Sequence, residues 1–152
     1  MTVLASGRRS KASPNERGGS GWRNCASSSP TSRSDAAVVR STPPEFTGYS
    51  TGAEIWVDRA GRNVYASNRG HDSVGVFGID PAKGTLAPRQ WVPTKGGVPR
   101  FFCFDPRQRF LYVANQSGHS ILGYKVERDG KLSPTGIRVK VPSPACIVFS
   151  GA

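Results

Sequence analysis

The 152-residue sequence is poor in the side chains that most chemistry draws on, with three cysteines, two histidines and one methionine. Cys25, Cys103 and Cys146 are odd in number and far apart, so no disulfide framework is expected, and a reducing, cytoplasmic setting is. No paired Cys or Cys/His spacing suits zinc, so neither a metal nor any other cofactor is expected. No apolar run approaches the roughly 20 residues of a membrane span, and Met1 to Arg9 lack the apolar core of a secretory signal. Acids are scarce as well: ten Asp/Glu stand against 21 Lys/Arg, a formal net charge of +11.

Aromatics and aliphatics are missing from one region above all. Residues 1–42 are mostly Ser, Arg, Gly, Pro, Ala, Thr and Asn, with Trp22 the one aromatic. Such a composition cannot bury enough surface to offset chain entropy, so residues 1–42 are predicted to be a disordered tail. The tail has seven Lys/Arg against two acids, and residues 43–152 have fourteen against eight. The tail's arginines are scattered and lack interleaved aromatics, which argues against nucleic acid as a partner. A basic balance in residues 43–152 suits a small anionic substrate.

What is present is a repeat. The string Val64-Tyr65-Ala66-Ser67-Asn68-Arg69-Gly70-His71-Asp72-Ser73-Val74-Gly75-Val76-Phe77 returns 47 residues later as Leu111 to Tyr124. Tyr65 matches Tyr112, Asn68 matches Asn115 and Ser73 matches Ser120. Ahead of these, Ile55-Trp56-Val57-Asp58 matches Phe102-Cys103-Phe104-Asp105, and a third copy opens at Pro144 and runs to Phe149. Each copy reads as four short strands separated by Gly, Pro and Asp turns. Repeats of roughly 40–50 residues with four strands are the signature of β-propeller blades. The expectation is an all-β partial propeller of two four-stranded blades over residues 43–152, plus one extra strand at Ala145–Phe149.

Within the first copy, Asn68 to Asp72 reads as a polar loop that cannot continue a buried strand. The matching strand of the second copy is read to end at Ala114. The inner strand Ile55 to Val57 reads as covered on both faces, and Pro88 suits an edge strand. Two blades cannot close a ring, so the chain reads as a fragment, or as a unit that self-associates through unpaired blade faces.

The residues Ala53-Glu54-Ile55, Ser67-Asn68-Arg69-Gly70-His71-Asp72-Ser73, Pro99-Arg100, Val113-Ala114-Asn115-Gln116 and Val141-Pro142-Ser143-Pro144-Ala145-Cys146 resemble the C-terminal part of the seven-bladed propeller lactonases. That family includes the cycloisomerase-like 6-phosphogluconolactonases and the fungal carboxymuconate lactonizing enzymes. The resemblance covers Ser41 to Phe149, and nothing before Ser41 looks like the family. It implies hydrolysis of 6-phospho-D-glucono-1,5-lactone in the pentose phosphate pathway, at one mouth of the central channel. The positions it marks are Glu54, Arg69, His71, Arg100, Asn115 and Gln116.

The residue types suit that chemistry on their own terms. Opening a lactone needs a water activated by a base that works near neutrality, as an imidazole does. His71 is the candidate base, with Glu54 as its orienter or as the base itself. Arg69 and Arg100 offer planar forks for a phosphate or for the developing oxyanion. Asn115 and Gln116 offer hydrogen bonds to sugar hydroxyls. Two other readings stay open: a non-catalytic propeller module that binds other proteins, and a lactonizing enzyme of the carboxymuconate type.

Overall fold

The computed structural model describes the backbone of residues 2–4 and the chain from residue 38 to residue 150. Among the described residues every regular element is a strand. A short ribbon pairs β1 (Thr2–Leu4) with β2 (Val38–Arg40). The first blade comprises β3 (Thr51–Val57), β4 (Asn63–Arg69), β5 (Ser73–Ile79) and β6 (Leu86–Pro93). The second comprises β7 (Pro99–Phe104), β8 (Phe110–Asn115), β9 (Ser120–Val126) and β10 (Leu132–Lys140). In each blade consecutive strands are hydrogen-bonded neighbours, and all pairs are antiparallel.

The sequence dictates these meanders locally. In the first blade Asp58 turns the chain by accepting the backbone N–H of Arg62 at 2.7 Å, and Gly61 supplies a φ of 65°. In the second blade Asp105 accepts the N–H of Phe110 at 2.6 Å. Carboxylates that take up backbone donors in this way fix short turns between strands.

The main core lies between the blades. Tyr65, Val74, Val76 and Val92 of the first blade pack on Phe102, Phe104, Leu111, Val113, Leu122, Tyr124 and Leu132 of the second. Burying an aliphatic or aromatic side chain of this size contributes about 1.5–3 kcal/mol. The two phenols in this core still find acceptors: Tyr65 donates to Gly130 O at 2.7 Å and Tyr124 donates to Pro93 O at 2.9 Å. Gln90 bonds both backbone groups of Leu132. On its other face the first blade buries Val64, Ala66, Phe77 and Leu86, with Val39 of β2 laid against them.

Four expectations change. Ala145–Phe149 forms no strand, because no strand edge pairs with it. Instead it crosses the second blade, with Phe149 against Tyr112 and the Cys103 thiol near Ile147 O. Asn68 and Arg69 lie within β4 and Asn115 within β8, since a buried amide is tolerated in a strand once it is hydrogen-bonded. The inner strand β3 is half-open to solvent at Ile55, Trp56 and Val57, and the fully covered strands are β4 and β5. Most of the predicted disordered tail, residues 1–42, lies outside the described residues. Within it, however, Val38–Arg40 is a strand and Ser41 and Thr42 are buried, because Ser41 O accepts two side-chain N–H groups. The edge position of Pro88 in β6 agrees with the sequence reading.

Candidate functional site

The start of each inner strand, the loop β4–β5, the loop β8–β9 and the connector between the blades all meet at one end of the sheets. Thr51 of β3 pairs with Arg69, and Pro99 of β7 pairs with Asn115. The connector Thr94–Val98 is held from both sides. Thr94 gives its backbone N–H to Asp72 O of the first blade at 2.9 Å, and Thr94 O accepts the amide of Asn115 of the second at 2.9 Å. Asp72 Oδ1 also accepts the N–H of Val98 at 3.0 Å and that of Gly70 at 3.2 Å. Asp72 takes a φ of 53° to do this, which an Asp tolerates better than most residues.

Several candidates serve this scaffold. Asn115 has no solvent exposure and gives its amide N–H to Thr94 O, so in these two blades it acts as a clamp on the connector. Gln116 gives its backbone N–H to Val98 O at 2.9 Å and keeps a half-buried side chain beside the connector. Asn68 repeats the role of Asn115, giving its amide to Ser41 O at 2.8 Å.

The remaining candidates carry reactive groups. His71 is half-buried, with its ring edge-on to Phe46 at 4.7 Å. Its Nδ1 lies 2.7 Å from Ser73 Oγ, which also accepts the Asn68 amide at 3.2 Å. Ser73 therefore orients the imidazole, and no hydrogen bond joins it to Glu54 among the described residues. The tautomer with Nδ1–H donated to Ser73 leaves Nε2 as the basic nitrogen. Arg69 folds back to donate Nη2 to Gly52 O at 2.9 Å, and its buried Nε has no partner.

Glu54 and Arg100 occupy matching irregularities on neighbouring inner strands. The register of β3 slips between Gly52 and Ile55, and that of β7 slips between Pro99 and Phe101. A bulge re-aims the side chains it carries, and here it turns Glu54 and Arg100 out of the regular alternation. Glu54 N donates to Ser67 Oγ at 3.0 Å, and Arg100 is exposed. Neither makes an ion pair among the described residues.

The sequence reading missed Asp72, Ser73 and Phe46. The first two stand inside the quoted loop string and were legible as acceptors beside His71. Phe46 gave no signal, since nothing in a Pro/Gly-rich approach places its ring.

Four-stranded meanders joined by clamped connectors, with Arg, His and Glu at one end, define the class as a β-propeller with a polar connector face. Residues 28–149 match the family described as "Lactonase, 7-bladed beta-propeller". The chain belongs to this family, and the match begins thirteen residues ahead of Ser41, where the sequence reading placed its start. It is 41% identical to the 6-phosphogluconolactonase of Bacillus subtilis (strain 168) over 113 residues, 74% of this chain and 32% of that protein. It is 40% identical to the 6-phosphogluconolactonase of Formosa agariphila over 83 residues, 53% of this chain and 24% of that protein. Among solved structures, the periplasmic gluconolactonase of Pseudomonas aeruginosa superimposes with a TM-score of 0.70 at 27% identity. That match covers 80% of this chain and 35% of the other. The chain thus spans about a third of the length of the first relatives it matches.

Proposed function

We propose that this chain contributes two blades to a lactonase that hydrolyses 6-phospho-D-glucono-1,5-lactone to 6-phospho-D-gluconate. The observation that carries the reading is His71, oriented by Ser73 in the loop that follows Arg69 of β4, in a chain 41% identical to a 6-phosphogluconolactonase. In this reading a water adds to the lactone carbonyl as His71 Nε2 takes its proton. Arg69 or Arg100 faces the oxyanion or the phosphate, and Glu54 is the alternative base. The ring C–O bond then breaks, and the ring oxygen recovers the proton as a hydroxyl. The cytoplasm and the pentose phosphate pathway are the setting proposed with this substrate.

The half-exposed Ile55, Trp56 and Val57 lie on the inner strand β3, so the active assembly is proposed to cover them with further blades or further copies. The test is phosphogluconolactone hydrolysis, measured above the spontaneous rate, on this chain alone and on a chain completed to seven blades. Acceleration that falls about 10²–10⁴-fold in His71→Gln is the expected result. No acceleration by the completed chain, or full activity in His71→Gln, overturns the proposal. Acceleration with a carboxymuconate lactone alone would move the substrate class.

A further inference from the structure

A second group of charged side chains sits at the opposite end of the sheets. β4 runs seven residues from Asn63 to Arg69, so the two ends lie about 20 Å apart at the usual rise of a strand. There the turns Asp58–Asn63, Asp105–Phe110 and Glu127–Leu132 surround a cleft of about 420 Å³. Its lining includes Arg59, Arg62, Arg107, Arg109 and Arg128, contributed by both blades. Arg62 and Arg109 hold the same place in the two repeats, 47 residues apart.

The acids at this end are already engaged. Asp58 accepts the N–H of Arg62 and the amide of Asn63, both at 2.7 Å. Asp105 accepts the backbone N–H of Arg107 and of Phe110. Glu127 pairs with Lys125 at 3.1 Å, and Asp129 pairs with Lys131 at 3.7 Å. None of the five guanidinium groups is in an ion pair among the described residues, and Arg59 alone of them donates to a carbonyl, Pro106 O at 3.1 Å. The Asp58 and Glu127 carboxylates also line the cleft, so its five guanidinium groups leave it a net positive charge of three, and a multivalent anion relieves their mutual repulsion. Arginine forks match phosphate oxygens in geometry as well as in charge.

Asn63 lines the cleft at 4% exposure, and its Oδ1 has no hydrogen-bond partner. That oxygen is closed to solvent, so a ligand in the cleft is held by the guanidinium groups around it. The volume falls within the roughly 300–1,000 Å³ of small-molecule sites. Among the described residues no aromatic side chain lines the cleft, so bases of a nucleic acid would have nothing to stack on there.

We propose that this cleft binds a phosphorylated small molecule of sugar-phosphate size, with the phosphate on the Arg62 and Arg109 forks. The site is independent of the lactonase reading, because it lies wholly between two blades this chain supplies.

The experiment is arginine modification by phenylglyoxal on the full 152-residue chain, mapped by mass spectrometry. Glucose 6-phosphate is the probe, with glucose, inorganic phosphate and sodium chloride at matched ionic strength as controls. Glucose 6-phosphate is expected to slow modification of Arg62 and Arg109 at least tenfold, inorganic phosphate less, and the other two not at all. Calorimetry on the R62Q/R109Q variant, whose exposed side chains leave the core untouched, is expected to show binding weakened at least tenfold. Unchanged modification of Arg62 and Arg109 overturns the proposal. So does equal protection by inorganic phosphate, or protection by an oligoribonucleotide at lower concentration than the sugar phosphate.

Discussion

Asp72 and His119 hold the same post in successive blades, although one is a carboxylate and the other an imidazole. Both take positive φ, 53° and 46°. Each gives its carbonyl to the first N–H of the outgoing connector, Thr94 N at 2.9 Å and Val141 N at 3.1 Å. Each side chain then accepts a later connector N–H, that of Val98 at Asp72 Oδ1 and that of Ser143 at His119 Nδ1. The shared requirement is an acceptor that tolerates left-handed backbone, and two chemically different side chains meet it.

The first prediction follows from that equivalence. His119→Asp should hold its connector as Asp72 does, with stability within about 0.5 kcal/mol of the parent. His119→Ala should lose about 1 kcal/mol by removing the acceptor of Ser143 N. Urea denaturation of both variants decides it, and equal loss in the two would refute the equivalence.

Asn115→Ala should cost about 1–3 kcal/mol, because Thr94 O is then buried with no side-chain donor. Asn68→Ala should behave alike, through Ser41 O. Asn115→Asp should be worse than Asn115→Ala near neutrality, since it buries a charge against a carbonyl oxygen. Denaturation midpoints in the order parent, Ala, Asp would bear this out.

Gly70 has a φ of 106°, and a Cβ there would collide with Tyr49 O. Gly70→Ala should therefore cost about 1–3 kcal/mol in backbone strain and shift the loop that carries His71. A chemical-shift map confined to residues 69–73 and the facing Tyr49–Ser50 is the expected result.

Stability should fall at alkaline pH. Burial pushes the Cys103 thiol from an ordinary 9.0 up to about 11, with Cys146 and Glu54 adding smaller effects. Burial raises Tyr124 to about 12, and burial first and Asp58 second push the Tyr65 phenol up as well. All three are neutral when protonated, so the folded state holds its protons longer than the unfolded chain does. Their contribution is complete below about pH 9 and is lost as pH rises through 11 to 12. Thermal melts at pH 8, 9.5 and 10.5 should show a falling midpoint, and a flat profile would contradict it. At pH 8 iodoacetamide should label exposed Cys146 well before buried Cys103.

Much of the fold was legible because propeller blades repeat. The offset that pairs Tyr65 with Tyr112 also pairs the two turn acids, Asp58 and Asp105, and each of these repeated features fell where the spacing put it. The candidate site was less legible, because a polar residue in a loop string has two possible employers. Asn115 and Asn68 spend their amides on connector carbonyls that lie 21 and 27 residues away. No local pattern distinguishes such a clamp from a ligand contact.

Local chemistry, written in the sequence, determined the strands of the two blades, their turns, the repeat and the loop holding His71. Strand periodicity and turn acids act over a few residues, so a linear reading captures them. Tertiary structure alone decided that Ser41 is buried beneath Trp91, that Ser73 holds His71, and that Ala145–Phe149 crosses a blade without joining it. Each depends on which groups meet across blades, and a strand exists only where another strand's edge accepts its hydrogen bonds.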